Sequence, residues 1–165
     1  MGESCGSVIP NTGLILNNFL GEEDVCPDFI KGNAGKRLMT MCTPTISTTS
    51  DSICVMGSGG STRIRSAILS GLVELYWKKQ NLNETIYSPR YHVEPGIVQL
   101  EMHGRNKSPD EILSWIHSLD EFTNHKIEYF EEPSMFFGGL HSVRKTKSKF
   151  EAIGDLRRDG IGKIG

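Results

Sequence analysis

The chain has 165 residues, enough for one domain with a sizeable core and short for two. Eighteen Lys and Arg against 20 Asp and Glu leave a net charge of −2, which excludes a nucleic-acid binder working by bulk positive charge. No apolar run approaches the roughly 18 residues of a membrane-spanning helix. The first basic residue is Lys31, so no basic leader region opens the chain and any address or anchor is expected upstream.

The four cysteines, Cys5, Cys26, Cys42 and Cys54, show no metal-ligand spacing and read as ordinary thiols. Eighteen glycines mark many tight turns or close backbone approaches. In chain order, residues 12–18 read as a short buried strand and residues 21–37 as a polar, turn-rich loop. Residues 43–47 and 52–56 read as two strands around a hairpin turn at 48–51. The glycine-rich stretch 56–62 is expected to break the second strand. Residues 62–80 form the best helix, with Ile64, Ile68, Leu72, Leu75 and Tyr76 on one face. A short helix follows Asn83 and ends before Pro89. Residues 97–102 read as a strand.

Ser108, Pro109, Asp110 and Glu111 give an N-cap, a proline at the first helical position and early acids, so a helix runs to about Leu119. Residues 125–131, 135–143 and 149–153 read as closing strands. The basic run from Arg144 to Lys149 reads as a hairpin turn with solvated flanks, since no aromatic residues interleave with it. The order predicts a single α+β layered domain over residues 1–165, built on antiparallel sheets.

The sharpest chemical feature is GSGGS at 57–61, between a strand and the long helix. Glycines permit a tight turn there, and unpaired backbone N–H groups at a helix start suit an anion or a developing oxyanion. It lacks the Gly-Lys-Ser/Thr ending of a phosphate loop. A plain strand-to-helix turn explains the same residues. A second feature, residues 36–45, brings hydroxyls close to Lys36 and Arg37, whose guanidinium fork matches a carboxylate. The five histidines are scattered and make no recognisable catalytic or metal pattern, so each reads as a surface or core histidine.

NTGLILNN at 11–18, GKRLMTMCTPT at 35–45, GSGGSTRI at 57–64, SPRYH at 88–92 and GDLRRDG at 154–160 occur in that order. Together they resemble the small, catalytic subunit of the gamma-glutamyltranspeptidase family, from about Cys5 to Gly160 and weakly between Glu101 and Pro133. The resemblance implies an N-terminal-nucleophile hydrolase fold, an αββα sandwich, here expected to be incomplete at its N-terminus. It implies a self-cleaving precursor, a larger N-terminal partner subunit, and attack by an N-terminal Thr on a gamma-glutamyl amide such as glutathione. The α-amine of that Thr would serve as base, and the acyl group would pass to water, an amino acid or a peptide. No cofactor, metal, nucleic-acid partner or membrane segment is implied for this chain. Family members commonly work at the extracellular face of the membrane or in the periplasm.

By the resemblance, the oxyanion-hole N–H groups fall on Gly60 and Ser61. The donor-pocket serines fall on Thr40 and Met41, the acid that holds the substrate α-amine on Glu22, and an acceptor position on Phe19. Ser61 replaces a glycine, Met41 cannot usefully hydrogen-bond a carboxylate, and Phe19 has no acceptor. The catalytic Thr would lie upstream of Met1. Two alternatives stay open. One is a catalytically degenerate relative acting as a binding or structural module, since one lost oxyanion or carboxylate contact costs roughly 2–4 kcal/mol. The other is an acylase with a less charged acyl group.

These expectations can be measured. The isolated 165-residue polypeptide should show no gamma-glutamyl hydrolase activity and should be poorly soluble, with a sheet edge and a core face open. Turnover that survives further purification would contradict the first point. A monodisperse, cooperatively melting monomer would contradict the second.

Overall fold

The structure is a computed structural model that describes residues 6–16, 35, 37 and 39–164. Most of the loop expected at 21–37 therefore lies outside the described residues. Two sheets organise the remainder. The first has four strands in the order β1 (Thr45–Thr48), β2 (Ser52–Gly59), β6 (Gly139–Thr146), β7 (Phe150–Ile153), all antiparallel. The second has three, β3 (Tyr91–Glu94), β4 (Ile97–Glu101) and β5 (Lys126–Phe130).

Helix α1 (Arg63–Leu72), a π-helical continuation (Val73–Trp77) and α2 (Leu82–Tyr87) pack on one face of the first sheet. Their core joins Cys54, Met56 and Leu140 to Ile64, Ile68, Leu75, Leu82 and Ile86. Helix α3 (Pro109–His117) covers the second sheet through Ile112 and Ile116 against Val98, Leu100 and Met102. One capping device starts a helix as anticipated, at α3; the other, at α2, starts that helix at Leu82, two residues before the expected start. Ser108 and Glu111 exchange side-chain bonds with each other's backbone N–H, with Pro109 at the first position, and Asn81 and Glu84 repeat the arrangement at α2.

The α+β class holds, with five corrections. First, β4 and β5 run parallel, so the domain is not built on antiparallel pairing alone. Second, no strand fills the described part of 12–18. Positive φ at Asn11 and Gly13 folds this segment into a tight turn carrying a single Val8–Ile15 bridge. Third, β2 is not broken at Met56. It runs to Gly59, because Gly57–Gly59 pair with Gly139–His141 across the sheet. Fourth, the long helix stops being α-helical at Leu72 and ends by Lys79, whose φ is +61°. The expected apolar face nevertheless packs inward. Fifth, strand β3 escapes the sequence reading, and Met135–Phe137 form a 3₁₀ turn before β6 rather than its first residues.

The face of the first sheet away from α1 and α2 is apolar and exposed. Ile46 pairs with Val55, and Val55 with Val143, along one line across three strands. Their exposures are 71%, 44% and 47%.

Two landmark motifs meet in the interior. Arg90 at the start of β3 pairs with Asp155, and Arg157 pairs with Glu101 at the end of β4 through 2.6 and 2.7 Å bonds. All four side chains are at most 4% exposed. The remaining oxygens are filled by backbone donors. Leu140 N–H reaches Asp155 Oδ2, Ser134 N–H reaches Glu101 Oε1 and Arg90 N–H reaches Glu101 Oε2, each at 2.9 Å. Burial alone would push the Asp155 carboxyl up. The Arg90 charge and the Leu140 and Arg157 N–H groups outweigh it and hold the acid below its ordinary value.

A depressed acid contributes stability above its unfolded pKa and loses it as pH falls through the folded value. Acid titration should therefore destabilise the protein below about pH 4, and Asp155→Asn should flatten that part of the curve. Arg157→Leu leaves Glu101 buried without its counter-charge and should cost about 3–5 kcal/mol in urea unfolding. A cost under about 1 kcal/mol would show that the cluster does not hold the sheets together.

Candidate functional site

The strand-to-helix turn is the best-formed candidate. Gly60 has φ +129° and Ser61 φ +53°. Ser61 thus occupies a left-handed conformation that favours glycine, at a cost of roughly 1–2 kcal/mol. Arg63 and Ile64 donate their N–H groups to the Gly60 and Ser61 carbonyls, both at 3.1 Å, so these two amides are committed to the turn. No acid of α1 itself lies in its first turn, where Arg63 stands instead, while the Glu94 carboxylate reaches the N-cap through Thr62 Oγ1.

The turn rests on a second glycine. A Cβ on Gly60 would stand 3.1 Å from Gly138 Cα and 3.5 Å from Arg158 Nη2, and one on Gly138 would stand 2.3 Å from the Gly59 carbonyl oxygen. The chain therefore closes up here in a way that side chains would prevent. Arg90 donates to the Gly138 carbonyl at 3.0 Å, which links this floor to the buried charge cluster.

The second predicted half-site lies at the same end of the sheet. Thr45 facing Met56 is the last pair of the β1–β2 register, and Thr40 and Met41 precede β1 at this end. Thr40 is exposed, and its Oγ1 accepts the Cys42 N–H at 3.1 Å. Met41 is half-buried and packs against the core of the first sheet. Phe19 and Glu22 lie outside the described residues. Cys42 is a free, exposed thiol, and Cys54 is free and buried, with burial pushing its thiol up.

One constellation escaped the sequence reading. His92 is 3% exposed, bridging Ser66 Oγ at 2.7 Å through Nδ1 and Glu94 Oε1 at 2.9 Å through Nε2. Thr62 Oγ1 donates to the same Glu94 oxygen at 2.8 Å. The hydrogen bond from His92, then that from Thr62, hold the Glu94 carboxyl below its ordinary value. A carboxylate only accepts, so Nε2 carries the proton; in the neutral ring Nδ1 then accepts from the Ser66 hydroxyl. The spacing could have shown this. His92 and Glu94 are two apart on a strand, and Thr62 and Ser66 are four apart at the start of a helix. Among the described residues, no His/Cys/Asp/Glu group could hold a metal. No described helix is long and apolar enough to cross a membrane.

Gly57 within β2 and Gly60 in the turn should respond differently to alanine. Gly57→Ala meets nothing within 4 Å and should leave thermal stability unchanged or slightly raised. Gly60→Ala meets a positive φ and the Gly138 backbone and should cost about 1–3 kcal/mol. Equal melting temperatures for the two variants would contradict this packing.

Residues 4–164 match the model of the gamma-glutamyltranspeptidase family. The chain is 33% identical over 95 residues to the acylase ACY 1 proenzyme of Pseudomonas sp. (strain SE83), covering 56% of this chain and 17% of that protein. It is 28% identical over 167 residues to glutathione hydrolase proenzyme 1 of Schizosaccharomyces pombe, covering 92% of this chain and 25% of that one. The chain thus spans a sixth to a quarter of the length of these relatives. Among solved structures, the Bacillus anthracis transpeptidase enzyme CapD superposes with a TM-score of 0.72 at 23% identity, over 94% of this chain and 83% of that chain. That likeness establishes a shared N-terminal-nucleophile hydrolase fold. Because the family match takes in the glycine turn, the segment before β1 and both arginine motifs, the chain belongs to the gamma-glutamyltranspeptidase family.

Proposed function

We propose that this chain is the small-subunit part of an enzyme that cleaves gamma-glutamyl amides such as glutathione. The gamma-glutamyl group then passes to water, an amino acid or a peptide. The observation that carries this reading is the Gly60–Ser61 turn, held at positive φ at the start of a helix. Backbone N–H groups of such a turn, fixed before reaction, stabilise charge that develops on a carbonyl oxygen.

In this mechanism an N-terminal Thr from outside these 165 residues attacks the gamma-carbonyl, and its α-amine takes the hydroxyl proton. The N–H groups of Gly60 and Ser61 hold the oxyanion. Collapse forms a Thr ester and releases the amine with a proton. Water or an acceptor amine then attacks the ester and frees the Thr hydroxyl. By the resemblance, Thr40, Met41, Phe19 and Glu22 are the positions assigned to the acyl pocket, Glu22 being the acid for the substrate α-amine. A larger N-terminal subunit of the same precursor completes the enzyme. The order of the family motifs and the position of Thr40 and Met41 just before β1, at the sheet end where β2 runs into the turn, support this assembly.

A second reading is favoured by the side chains themselves. Met41 is apolar and packs into the core, and Phe19 is apolar, so the pocket offers few partners for an α-carboxylate. An acylase acting on a less charged acyl group fits that lining, and the acylase ACY 1 proenzyme is among the relatives.

A substrate screen decides between them. The full-length protein should turn over a chromogenic gamma-glutamyl anilide faster than an apolar acyl anilide, and Gly60→Ala should cut kcat roughly 10²–10³-fold. Preference for the apolar anilide would favour the acylase. Inactivity on both, with the fold intact, would overturn the enzymatic reading in favour of a binding or structural role.

A further inference from the structure

We propose that Glu94 is a positioning residue for the Gly60–Ser61 turn, holding it from β3 through the hydroxyl of Thr62. The catalytic consequence rests on the oxyanion role proposed above; the mechanical linkage does not.

Thr62 stands at the N-cap of α1, where a threonine ordinarily accepts a backbone N–H of the first turn. It makes no such bond. Its hydroxyl instead donates to Glu94 Oε1 at 2.8 Å and accepts from Arg63 Nη1 at 3.2 Å. The cap is thus diverted to a strand of the other sheet. Glu94 is itself held by the buried His92, and His92 by Ser66, one helical turn beyond Thr62. The chain of bonds leaves α1 at Thr62 and returns to it at Ser66, clamping the first helical turn to β3 at two points. Ser61, the residue before Thr62, is the strained one at φ +53°. Such a conformation persists only where its surroundings over-determine it. Gly138 restrains the turn from one side, and Glu94 supplies the restraint on the other.

The measurement is amide hydrogen exchange at Arg63 and Ile64, whose N–H groups bond the Gly60 and Ser61 carbonyls. In the full-length protein, Glu94→Ala should speed both by about tenfold. Thr62→Val, which leaves His92 and Glu94 in place, should do the same. The double variant should exchange no faster than either single one, because both remove one linkage. Glu94→Gln keeps an acceptor for the Thr62 hydroxyl and should stay near the wild type. In kinetics, Glu94→Ala should lower kcat roughly 10- to 100-fold with KM little changed, and Glu94→Gln should restore it. Unchanged exchange in Glu94→Ala, equal effects of Ala and Gln, or additive effects of Thr62→Val and Glu94→Ala would each overturn the proposal. If the wild type turns over neither anilide, the enzymatic reading fails, and the exchange data still decide the linkage.

Discussion

Two arginines and two carboxylates, buried together with their charges balanced, fix how the pieces of this domain meet. Ions are costly to remove from water unless paired and fully hydrogen-bonded. Here Arg90, Glu101, Asp155 and Arg157 satisfy one another, and backbone groups of Arg90, Ser134, Leu140 and Ile86 take up what is left. Such a cluster adds little net stability over an apolar core of equal volume. What it supplies is geometry, because only one arrangement of α2, β3, β4, β6 and the C-terminal segment fills every bond.

That geometry reaches the glycine turn in a few steps. Arg90 holds the Gly138 carbonyl, and Asp155 accepts the Leu140 N–H two residues on, so the entry to β6 is set by the ion cluster. Gly138 lies against Gly59 and Gly60 with no room for a side chain, so the turn takes its height from that entry. The restraint from β3 through Glu94 comes from the other sheet. The turn is thus fixed by both sheets, which allows a serine to keep a backbone conformation that glycine would hold without strain.

The sequence disclosed local features well and long-range ones poorly. Helix α3 was legible because Ser108, Pro109 and Glu111 form its cap within four residues. The β1–β2 hairpin was legible because the polar turn residues 48–51 separate two short segments that carry β-branched residues. The glycines at 57–59 read as a break because propensity disfavours glycine in strands. Pairing with Gly139–His141, some 80 residues away, overrides that preference. Strand β3 hid for the same reason: its inward residue is His92 rather than an aliphatic, and its partners Ser66 and Glu94 are polar. Histidines judged singly give no signal; His92 acquires meaning only when α1 lies across β3. The ordered motifs exposed the family, yet two of them, SPRYH and GDLRRDG, carry the ion cluster rather than the proposed chemistry.

The first sheet also explains why its strands lacked a clean alternation. Antiparallel strands with one wet face alternate apolar and polar residues. Along β2, inward Cys54 and Met56 alternate with Ile53 and Val55, so the run from 53 to 56 is apolar throughout. Val143 and Ile46 extend that second apolar face over the neighbouring strands. A sheet apolar on both sides is physically a middle layer, with helices on one face and a further layer suited to the other. This is the αββα arrangement in its chemical form. The Gly60–Ser61 turn leaves such a sheet at the end of β2. Backbone dipoles gain strength as water is excluded, so covering this exposed face would also sharpen the oxyanion stabilisation proposed for the turn.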